Sequence, residues 1–307
     1  MLEELQDDLD AKGRDVNIDN LVRRDLFGNT ALGLPIGGRP ELVGRLDVEA
    51  CQGWLRRFFV GGNMALVVVG PIDHDAVVDT ATASLGMIPE GPRQLPAPSP
   101  LTVPATPSFS YLDRPGRQAD VVITWALPDA AHPDWAGLFL ATRILDGGSA
   151  ARLSHRVIDQ AAAAYDLGAC FVEYEDLSLL SIDAAVTTPK CVDLIDAIFG
   201  VVESLSTEPP SAEELSRHRR RIDLNFAHAM SSPEIWATSL MQDWLHQSLP
   251  NRATRIALLK NISPDQIVAA SRRHLGLSAL HAAVAGALHP LERAAIRRRV
   301  HRLRPRG

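Results

Sequence analysis

Short apolar runs alternate with polar residues along this chain, and their periods predict helices and strands in turn. Leucines at helical spacing within residues 2–9, with acidic residues between them, predict an amphipathic helix with an acidic outer face. Asp47 then predicts the N-cap of a helix that turns Cys51, Leu55 and Phe58 inward.

The pattern that follows predicts the end of a first domain. The apolar run 63–70 is bounded by asparagine at one end and by glycine and proline at the other, which is typical of a buried strand. Asp73 predicts the cap of a helix that extends to about Leu85. Six prolines between residues 90 and 107 exclude a helix or a central strand there, and they predict an extended, semi-rigid linker.

A second domain is predicted after the linker. Two alternating runs, 165–174 and 178–187, are separated by Glu175 and Asp176, which predicts a β-hairpin. The other predicted elements are strands at 119–127 and 279–287 and helices at 133–145, 190–206, 211–245, 252–260 and 264–275. A sheet covered by helices on one side accommodates this order. The predicted divisions are a first domain at 1–90, a linker at 91–107, a second domain at 108–290 and a basic tail at 291–307.

Composition indicates a folded protein. The 307 residues are 46% hydrophobic and 22% charged, which suffices for two globular domains. No apolar run reaches the roughly 18 residues of a membrane span, so none is predicted. The acidic residues that follow Met1 are the reverse of a secretory signal, and a cytoplasmic location is therefore expected.

Charge and cysteine content suggest little chemistry by themselves. The net charge of −6 conceals seven arginines within residues 293–307. This segment lacks the interleaved aromatic residues that stack on bases, so a disordered, solubilising tail is favoured over a site for nucleic acid, an anionic membrane or an acidic partner. The three cysteines, Cys51, Cys170 and Cys191, form no Cys-x-x-Cys pair and are interpreted as small core residues.

Five ordered segments resemble the pitrilysin/insulinase-type zinc peptidases, the group that includes mitochondrial processing peptidase. They are residues 2–5, 29–37, 58–70, 144–153 and 161–165. The resemblance implies an α+β fold with mixed, largely antiparallel sheets flanked by helices. It also implies two similar domains, the first incomplete here, that form one half of a clamshell whose two halves enclose a peptide.

The zinc-binding helix of that family is missing from this sequence. The family's catalytic motif is His-x-x-Glu-His, in which two histidines bind zinc and the glutamate activates a water. None of the ten histidines has a second histidine four residues away. The resemblance aligns the family's third zinc ligand with Glu4, which would be an orphan ligand because a catalytic site needs about three protein ligands. The alternative is that Glu4 belongs to a solvated acidic helix face.

An arginine and a tyrosine seven residues apart contact the peptide in the family. The resemblance places the tyrosine at Tyr165, but the residue seven positions earlier is Ile158. The nearest arginines are Arg152 and Arg156, and Arg156 is taken with Tyr165 as the candidate substrate-binding pair. The alternative interpretation of Tyr165 is an aromatic residue at a strand edge.

Two functional hypotheses remain open. In the first, the chain is part of a peptidase that is inactive alone and completes a peptide-binding chamber with a partner, or a missing N-terminal portion, that carries His-x-x-Glu-His. Zinc is then the family's cofactor, unfolded peptides are the substrates, no catalytic residue lies in this chain, and the chain alone binds no zinc. In the second, it is a non-catalytic binding or assembly subunit with no role in proteolysis. Either hypothesis allows a homo- or heterodimer. A third interpretation assigns function to the basic tail on an inert scaffold.

Overall fold

The computed structural model describes residues 5–6, 8–10, 13–94, 106–148, 151–159, 166–245, 250–276 and 280–302. Within these residues the centre of the molecule is a five-stranded sheet in the order β1-β5-β2-β4-β3. The strands are β1 (Ser108–Asp113), β2 (Gln118–Leu127), β3 (Asp166–Glu173), β4 (Ser178–Thr187) and β5 (Leu280–Gly286). Strands β1 and β5 are parallel and the other neighbours are antiparallel. The predicted α+β class with a mixed, largely antiparallel sheet is confirmed.

Helices flank this sheet and also make up the region before it. Numbered along the chain, they are α1 (Ile18–Phe27), α2 (Pro40–Val43), α3 (Val48–Phe58), α4 (His74–Leu85), α5 (Trp135–Leu145), α6 (Cys191–Thr207), α7 (Ala212–Ser231), α8 (Pro233–Leu245), α9 (Arg252–Asn261), α10 (Pro264–His274) and α11 (Pro290–Arg302). None of the helices in the described part of the chain is both long and apolar enough to span a bilayer.

Strand β2 lies inside the sheet because it is apolar on both faces. Ile123 and Trp125 are fully buried in the main core, beneath the helices. Val122, on the opposite face, packs into a second cluster formed with α1. Because side chains on both faces of β2 are buried, solvent is excluded from both sides of the strand. Its backbone groups then pair with those of β4 along the whole length of β2.

The main core lies between the sheet and α5, α6 and α10. Helix α5 is buried along most of its length and packs closely on α10. A Cβ atom added at Gly137 would lie 2.8 Å from the Cβ of Ala270, so glycine permits this close approach. The contact fixes the start of α5 beside the end of α10.

Helix α1 covers part of the other face of the sheet. Asn17 caps it by accepting hydrogen bonds from the backbone N–H groups of Asp19 and Asn20. Val22, Leu26 and Phe27 are buried against the sheet. The described N-terminal residues are therefore attached to the sheet through α1.

The C-terminal segment differs from the prediction of a disordered tail. Its described residues form α11, in which Ile296 and Val300 are fully buried in the main core. Arg293 stacks on Tyr111, with 4.3 Å between the guanidinium carbon and the ring centroid, and Arg299 pairs with Asp196. The tail prediction was wrong because arginine-rich composition concealed two apolar positions four residues apart on one helix face.

The predicted buried strand at 63–70 is also wrong. Residues 64–69 are extended, but they are assigned to no strand, and among the described residues nothing pairs with them. The side chains of Leu66 and Val68 are 59% and 44% exposed. A strand needs a neighbouring strand to satisfy its backbone N–H and C=O groups, and the described residues provide none here.

The helices on either side of this segment form as predicted but do not bury their apolar faces. The side chains of Asp47 and Asp73 accept hydrogen bonds from the backbone N–H groups of Ala50 and Ala76, as N-caps do. Leu55 is 49% exposed and Cys51 is exposed, so the prediction that α3 turns these side chains inward was wrong. Capping depends on the local sequence, whereas burial requires a surface to pack against.

Three smaller predictions need correction. Leu9 forms an isolated bridge with Asp15 instead of continuing a helix, because the chain reverses through Gly13 at φ +71°. The long helix predicted at 211–245 is two helices that divide before Pro233, which lacks the N–H that would continue the first. Cys170 is exposed on the edge strand β3, so of the three cysteines Cys191 alone is a core residue.

Candidate functional site

Two of the three residues singled out from the sequence, Glu4 and Tyr165, lie outside the described residues. The third, Arg156, lies in the π-helical turn Ser154–Asp159. Its Nη2 is 2.9 Å from Oε2 of Glu208, and both side chains keep substantial solvent contact. The proposed role of Arg156 in substrate binding therefore stays a prediction.

Arg152, the other arginine near Tyr165 in the sequence, forms a largely buried ion pair. It donates from Nε and Nη2 to the two carboxylate oxygens of Glu214, at 3.1 and 3.0 Å, and both side chains are largely buried. Burial raises the pKa of Glu214, but the hydrogen bonds and charge of Arg152 outweigh it and leave that pKa below its ordinary value. Arg152 thereby joins the helical segment that follows α5 to the start of α7.

A cavity of about 890 Å³ opens beside the edge strand β3, between the sheet and α7, α8 and α9. Its lining is rich in aromatic residues: Trp135, Phe139, Phe171, Tyr174 and Phe226. Phe139 packs against both Trp135 and Phe171, with ring centroids 5.5 and 5.6 Å apart. Rings that hold one another in place give the cavity a preformed apolar wall.

One ion pair crosses the wall of this cavity. Glu173, the last residue of β3, pairs with Arg255 of α9 and accepts a hydrogen bond of 2.8 Å from the indole N–H of Trp135. The guanidinium carbon of Arg255 lies 4.5 Å above the centroid of the Trp135 ring. These contacts place a fixed polar group within an aromatic surface, an arrangement typical of ligand-binding pockets.

The backbone beside the cavity is also suited to peptide binding. Strand β3 pairs with β4 on one side and has no neighbouring strand on the other among the described residues. The free side of an edge strand presents N–H and C=O groups to which an extended peptide can add.

A second recess of about 410 Å³ lies between α1 and the other face of the sheet. Asp183 of β4 is in its lining and keeps solvent contact. Partial desolvation, with the nearby carboxylates of Asp19 and Asp166, raises the pKa of Asp183 to about 6, against the effect of a hydrogen bond with Ser181. This acidic recess has no counterpart among the sequence predictions.

A third group of polar residues joins the start of α5 to the end of α10. His132, Asp134 and His274 each present a ligand atom within 4.8 Å of the other two. A hydrogen bond from Arg273 lowers the pKa of Asp134 to about 2, with His274 contributing in the same direction against partial burial. This group does not follow the spacing of two histidines four residues apart, because His274 comes from a distant part of the sequence. The short His132-x-Asp134 pair was a usable signal, but its meeting with His274 depends on the fold.

A mixed, largely antiparallel sheet flanked by helices is the fold that the resemblance to the metallopeptidases implies. Residues 45–222 match the family model described as the peptidase M16 inactive domain. The chain belongs to the peptidase M16 inactive-domain family, which confirms the resemblance to the pitrilysin/insulinase-type peptidases.

Individual relatives agree with this assignment. An uncharacterized zinc protease of Streptomyces coelicolor is 23% identical over 273 residues, which cover 84% of this chain and 58% of that protein. An uncharacterized zinc protease of Mycobacterium leprae is 23% identical over 209 residues, covering 63% of this chain and 47% of the relative. The chain therefore spans about half the length of these relatives.

Solved structures show the same fold. The crystal structure of a peptidase M16 inactive domain from Pseudomonas fluorescens aligns with a TM-score of 0.76 at 17% identity, covering 89% of this chain and 66% of that one. A protease from Helicobacter pylori aligns with a TM-score of 0.81 at 13% identity, covering 92% and 70%.

The zinc that the names of these relatives imply does not fit the donors of this sequence at the family's site. That site needs two histidines four residues apart on one helix, and the sequence contains no such pair. Glu4 would contribute one carboxylate, which is too few ligands for a zinc site.

Proposed function

We propose that this chain is the peptide-binding part of an M16-type peptidase, inactive alone, and that it completes a peptide chamber with a chain or segment carrying His-x-x-Glu-His. The observation that supports this most directly is the extended segment 64–69, which is apolar and, among the described residues, unpaired. The residues of this segment are apolar, as in the central strand of a sheet, but the side chains of Leu66 and Val68 are exposed to solvent. A neighbouring strand from a partner would satisfy its backbone.

The surroundings of the segment support the same proposal. Large apolar side chains of α3, α4 and the connecting residues are exposed together: Val48, Trp54, Leu55, Phe59, Leu66, Val68, Ile72, Val78, Leu85 and Met87. Exposed apolar surface of this extent is typical of an interface. Covering this surface would contribute a favourable hydrophobic term of about 25 cal/mol for each Å², part of which offsets the entropy lost on association.

The peptide-binding role is supported by the cavity at β3. An extended peptide added to the free edge of β3 would place side chains against Phe139 and Phe171. Glu173 and Arg255 would meet its polar groups. The chain would thus hold a substrate that a zinc-bearing partner cleaves.

Reconstitution of the complex tests the proposal. The purified full chain is mixed with a His-x-x-Glu-His-bearing family member from the same genome, and cleavage of an unfolded casein peptide is followed with and without a chelator. We expect no chelator-sensitive cleavage by the chain alone, a stable complex by size-exclusion chromatography with light scattering, and cleavage by the complex. Chelator-sensitive cleavage by the isolated chain contradicts the proposal.

A substitution in the exposed segment tests the interface. Leu66→Asp places a charge where a partner strand would pack and should abolish complex formation while leaving the circular dichroism of the isolated chain unchanged. Leu291→Asp is the matched control, because Leu291 is 72% exposed on α11, away from the segment. Equal loss of the complex in both variants would mean that residues 64–69 are not the contact.

The alternative function is a non-catalytic binding or assembly subunit. The missing His-x-x-Glu-His motif favours it, as does the incomplete arginine and tyrosine pair at Arg156 and Tyr165. A complex that forms through Leu66 but gives no cleavage above that of the partner alone would support this alternative.

A further inference from the structure

We propose that His132, Asp134 and His274 bind a divalent transition-metal ion of the Zn²⁺ class where α5 begins and α10 ends. This site is separate from the catalytic zinc site of the peptidase family, whose motif the chain lacks. The inference goes beyond the proposed function, because it concerns the isolated chain and requires neither peptide nor partner.

The backbone brings the three side chains together. Asp134 precedes α5 in a helical conformation in which its side chain caps no backbone N–H group. Its carboxylate instead reaches the last turn of α10, where Oδ2 lies 2.9 Å from Nε2 of His274. The Nδ1 atom of His132 is 4.0 Å from the same oxygen, and the two imidazole rings are edge to face with centroids 5.4 Å apart.

Asp134 already engages the nearest nitrogen of each histidine. Nδ1 of His132 accepts a hydrogen bond of 3.1 Å from the backbone N–H of Asp134, and Nε2 of His274 donates to the carboxylate at 2.9 Å, so a metal ion must displace both hydrogen bonds to bind here. Neutral imidazole nitrogen and carboxylate oxygen are ordinary Zn²⁺ ligands, with bonds of about 2.0–2.2 Å. Donor atoms that already lie within 4.8 Å of one another can converge on one ion through small side-chain rotations.

Arg273 is the main competitor for the carboxylate. It donates from Nε to Oδ2 of Asp134 at 2.8 Å and from Nη2 to Oδ1. Its side chain is 57% exposed, so it can withdraw from Oδ2 while keeping its bond to Oδ1. In that arrangement Arg273 would orient the ligand carboxylate from the second shell, but its positive charge would also reduce the affinity for a cation.

The site is open on one side. His132 is exposed, whereas Asp134 and His274 are half-buried. Three protein ligands and an accessible fourth position, which water can fill, form a complete tetrahedral set for Zn²⁺.

Metal titration of the full chain tests the proposal. After chelator treatment and dialysis, Zn²⁺ binding is measured by calorimetry, and Co²⁺ is used as a spectroscopic probe of tetrahedral nitrogen and oxygen ligands. We expect one equivalent in the wild type, at least tenfold weaker binding in His274→Ala, and a similar loss in Asp134→Asn. His228→Ala and Cys51→Ser are the controls, because these exposed residues lie outside the cluster, and they should bind as the wild type does.

Arg273→Gln separates a metal site from a simple ion-pair cluster. If the cluster binds metal, removing the competing charge should tighten Zn²⁺ binding severalfold. If the cluster only joins α5 to α10, the same substitution lowers the melting temperature and leaves no site-specific binding. Wild-type binding no tighter than that of the His132→Ala/His274→Ala double variant, with both chains folded by circular dichroism, would overturn the proposal. That result leaves partner-dependent cleavage untouched, so the failures of the two proposals are distinguishable.

Discussion

At the scale of single residues, the buried histidines stand out. His281 of β5 is 1% exposed and its Nδ1 is hydrogen-bonded at 2.7 Å to Oγ of Ser108 on β1. Its Nε2 has no hydrogen-bond partner among the described residues and lies 3.7 Å from a carboxylate oxygen of Asp25 on α1. Burial lowers the pKa of His281 despite Asp25, and burial also lowers the pKa of His218. Both residues are therefore neutral in the native state over a wider pH range than in the unfolded chain.

We predict that these histidines destabilise the native state in mild acid. A lowered native pKa means that below the ordinary value of 6.5 the unfolded chain binds protons more tightly. Above pH 6.5 these histidines therefore do not reduce the free energy of unfolding. As the pH falls from 6.5 towards the native pKa, that free energy decreases by up to about 1.4 kcal/mol per pH unit for each group. Asp183, whose pKa is raised from 3.8 to about 6, acts in the opposite direction, because it stabilises the native state as the pH falls from about 6 towards 3.8.

Comparison with a variant isolates the histidine. His281→Asn retains a partner for Ser108 and cannot titrate, so its free energy of unfolding should fall less than that of the wild type between pH 7.5 and 5.5. Urea unfolding at the two pH values measures the difference. Parallel pH dependence in the two proteins would show that His281 does not carry the effect.

Two neighbouring arginines should differ sharply in their effect on stability. Arg152→Ala breaks a largely buried two-point pair with Glu214 and is expected to cost about 2–3 kcal/mol. Arg156→Ala removes an exposed pair with Glu208 and should cost less than about 0.5 kcal/mol. Chemical denaturation measures both.

If Arg156 contacts peptide as predicted, Arg156→Ala should raise the KM of the reconstituted complex although its stability is unchanged. An unchanged KM would mean that Arg156 is not part of the peptide-binding site.

At the scale of elements, α11 should be part of the folded core. Ile296 is fully buried beneath this helix, so Ile296→Ala leaves a cavity and should destabilise the protein by about 3 kcal/mol. Leu291→Ala, at an exposed position of the same helix, should change stability by less than about 0.5 kcal/mol. Thermal unfolding of both variants provides the measurement, and equal melting temperatures would mean that α11 does not pack as described.

Elements were predictable from sequence where the determining signals are local. The caps at Asp47 and Asp73 and the hairpin of β3 and β4 follow from neighbouring residues, and the structure contains all of them. The exposure of Leu66 and Val68 was not predictable from their apolar character, because burial requires a neighbouring strand and none lies beside residues 64–69 among the described residues. The same distinction applies to the sites. His132 and Asp134 are close in sequence, but only the packing of α5 on α10 brings His274 to them.

At the scale of the whole molecule, the chain contains two regions of unequal packing. The region of the sheet is built around a continuous buried core that extends from β2 to α11. Residues 48–94 contribute one buried apolar side chain, Val60, and leave α3 and α4 exposed along their apolar faces. Local stability depends on the amount of apolar surface that is buried. The free energy of local unfolding should therefore be much smaller for residues 48–94 than for the region of the sheet.

Hydrogen exchange should reveal this difference and its removal by a partner. In the isolated chain, we expect amides of β2, β4 and β5 to exchange slowly. Amides of residues 65–69 should exchange close to the rate of an unstructured peptide, because no described strand pairs with them and only Met64 of the segment donates to a described backbone carbonyl, that of Gly61. In the complex with a zinc-bearing partner, residues 64–69 should become protected by at least tenfold while β2 is unchanged. Mass spectrometry of peptic fragments can follow both regions in one experiment, with Leu66→Asp as the variant in which protection should not appear. Strong protection of residues 64–69 in the isolated monomer would show that the segment is already paired, and the argument for a partner strand would fail.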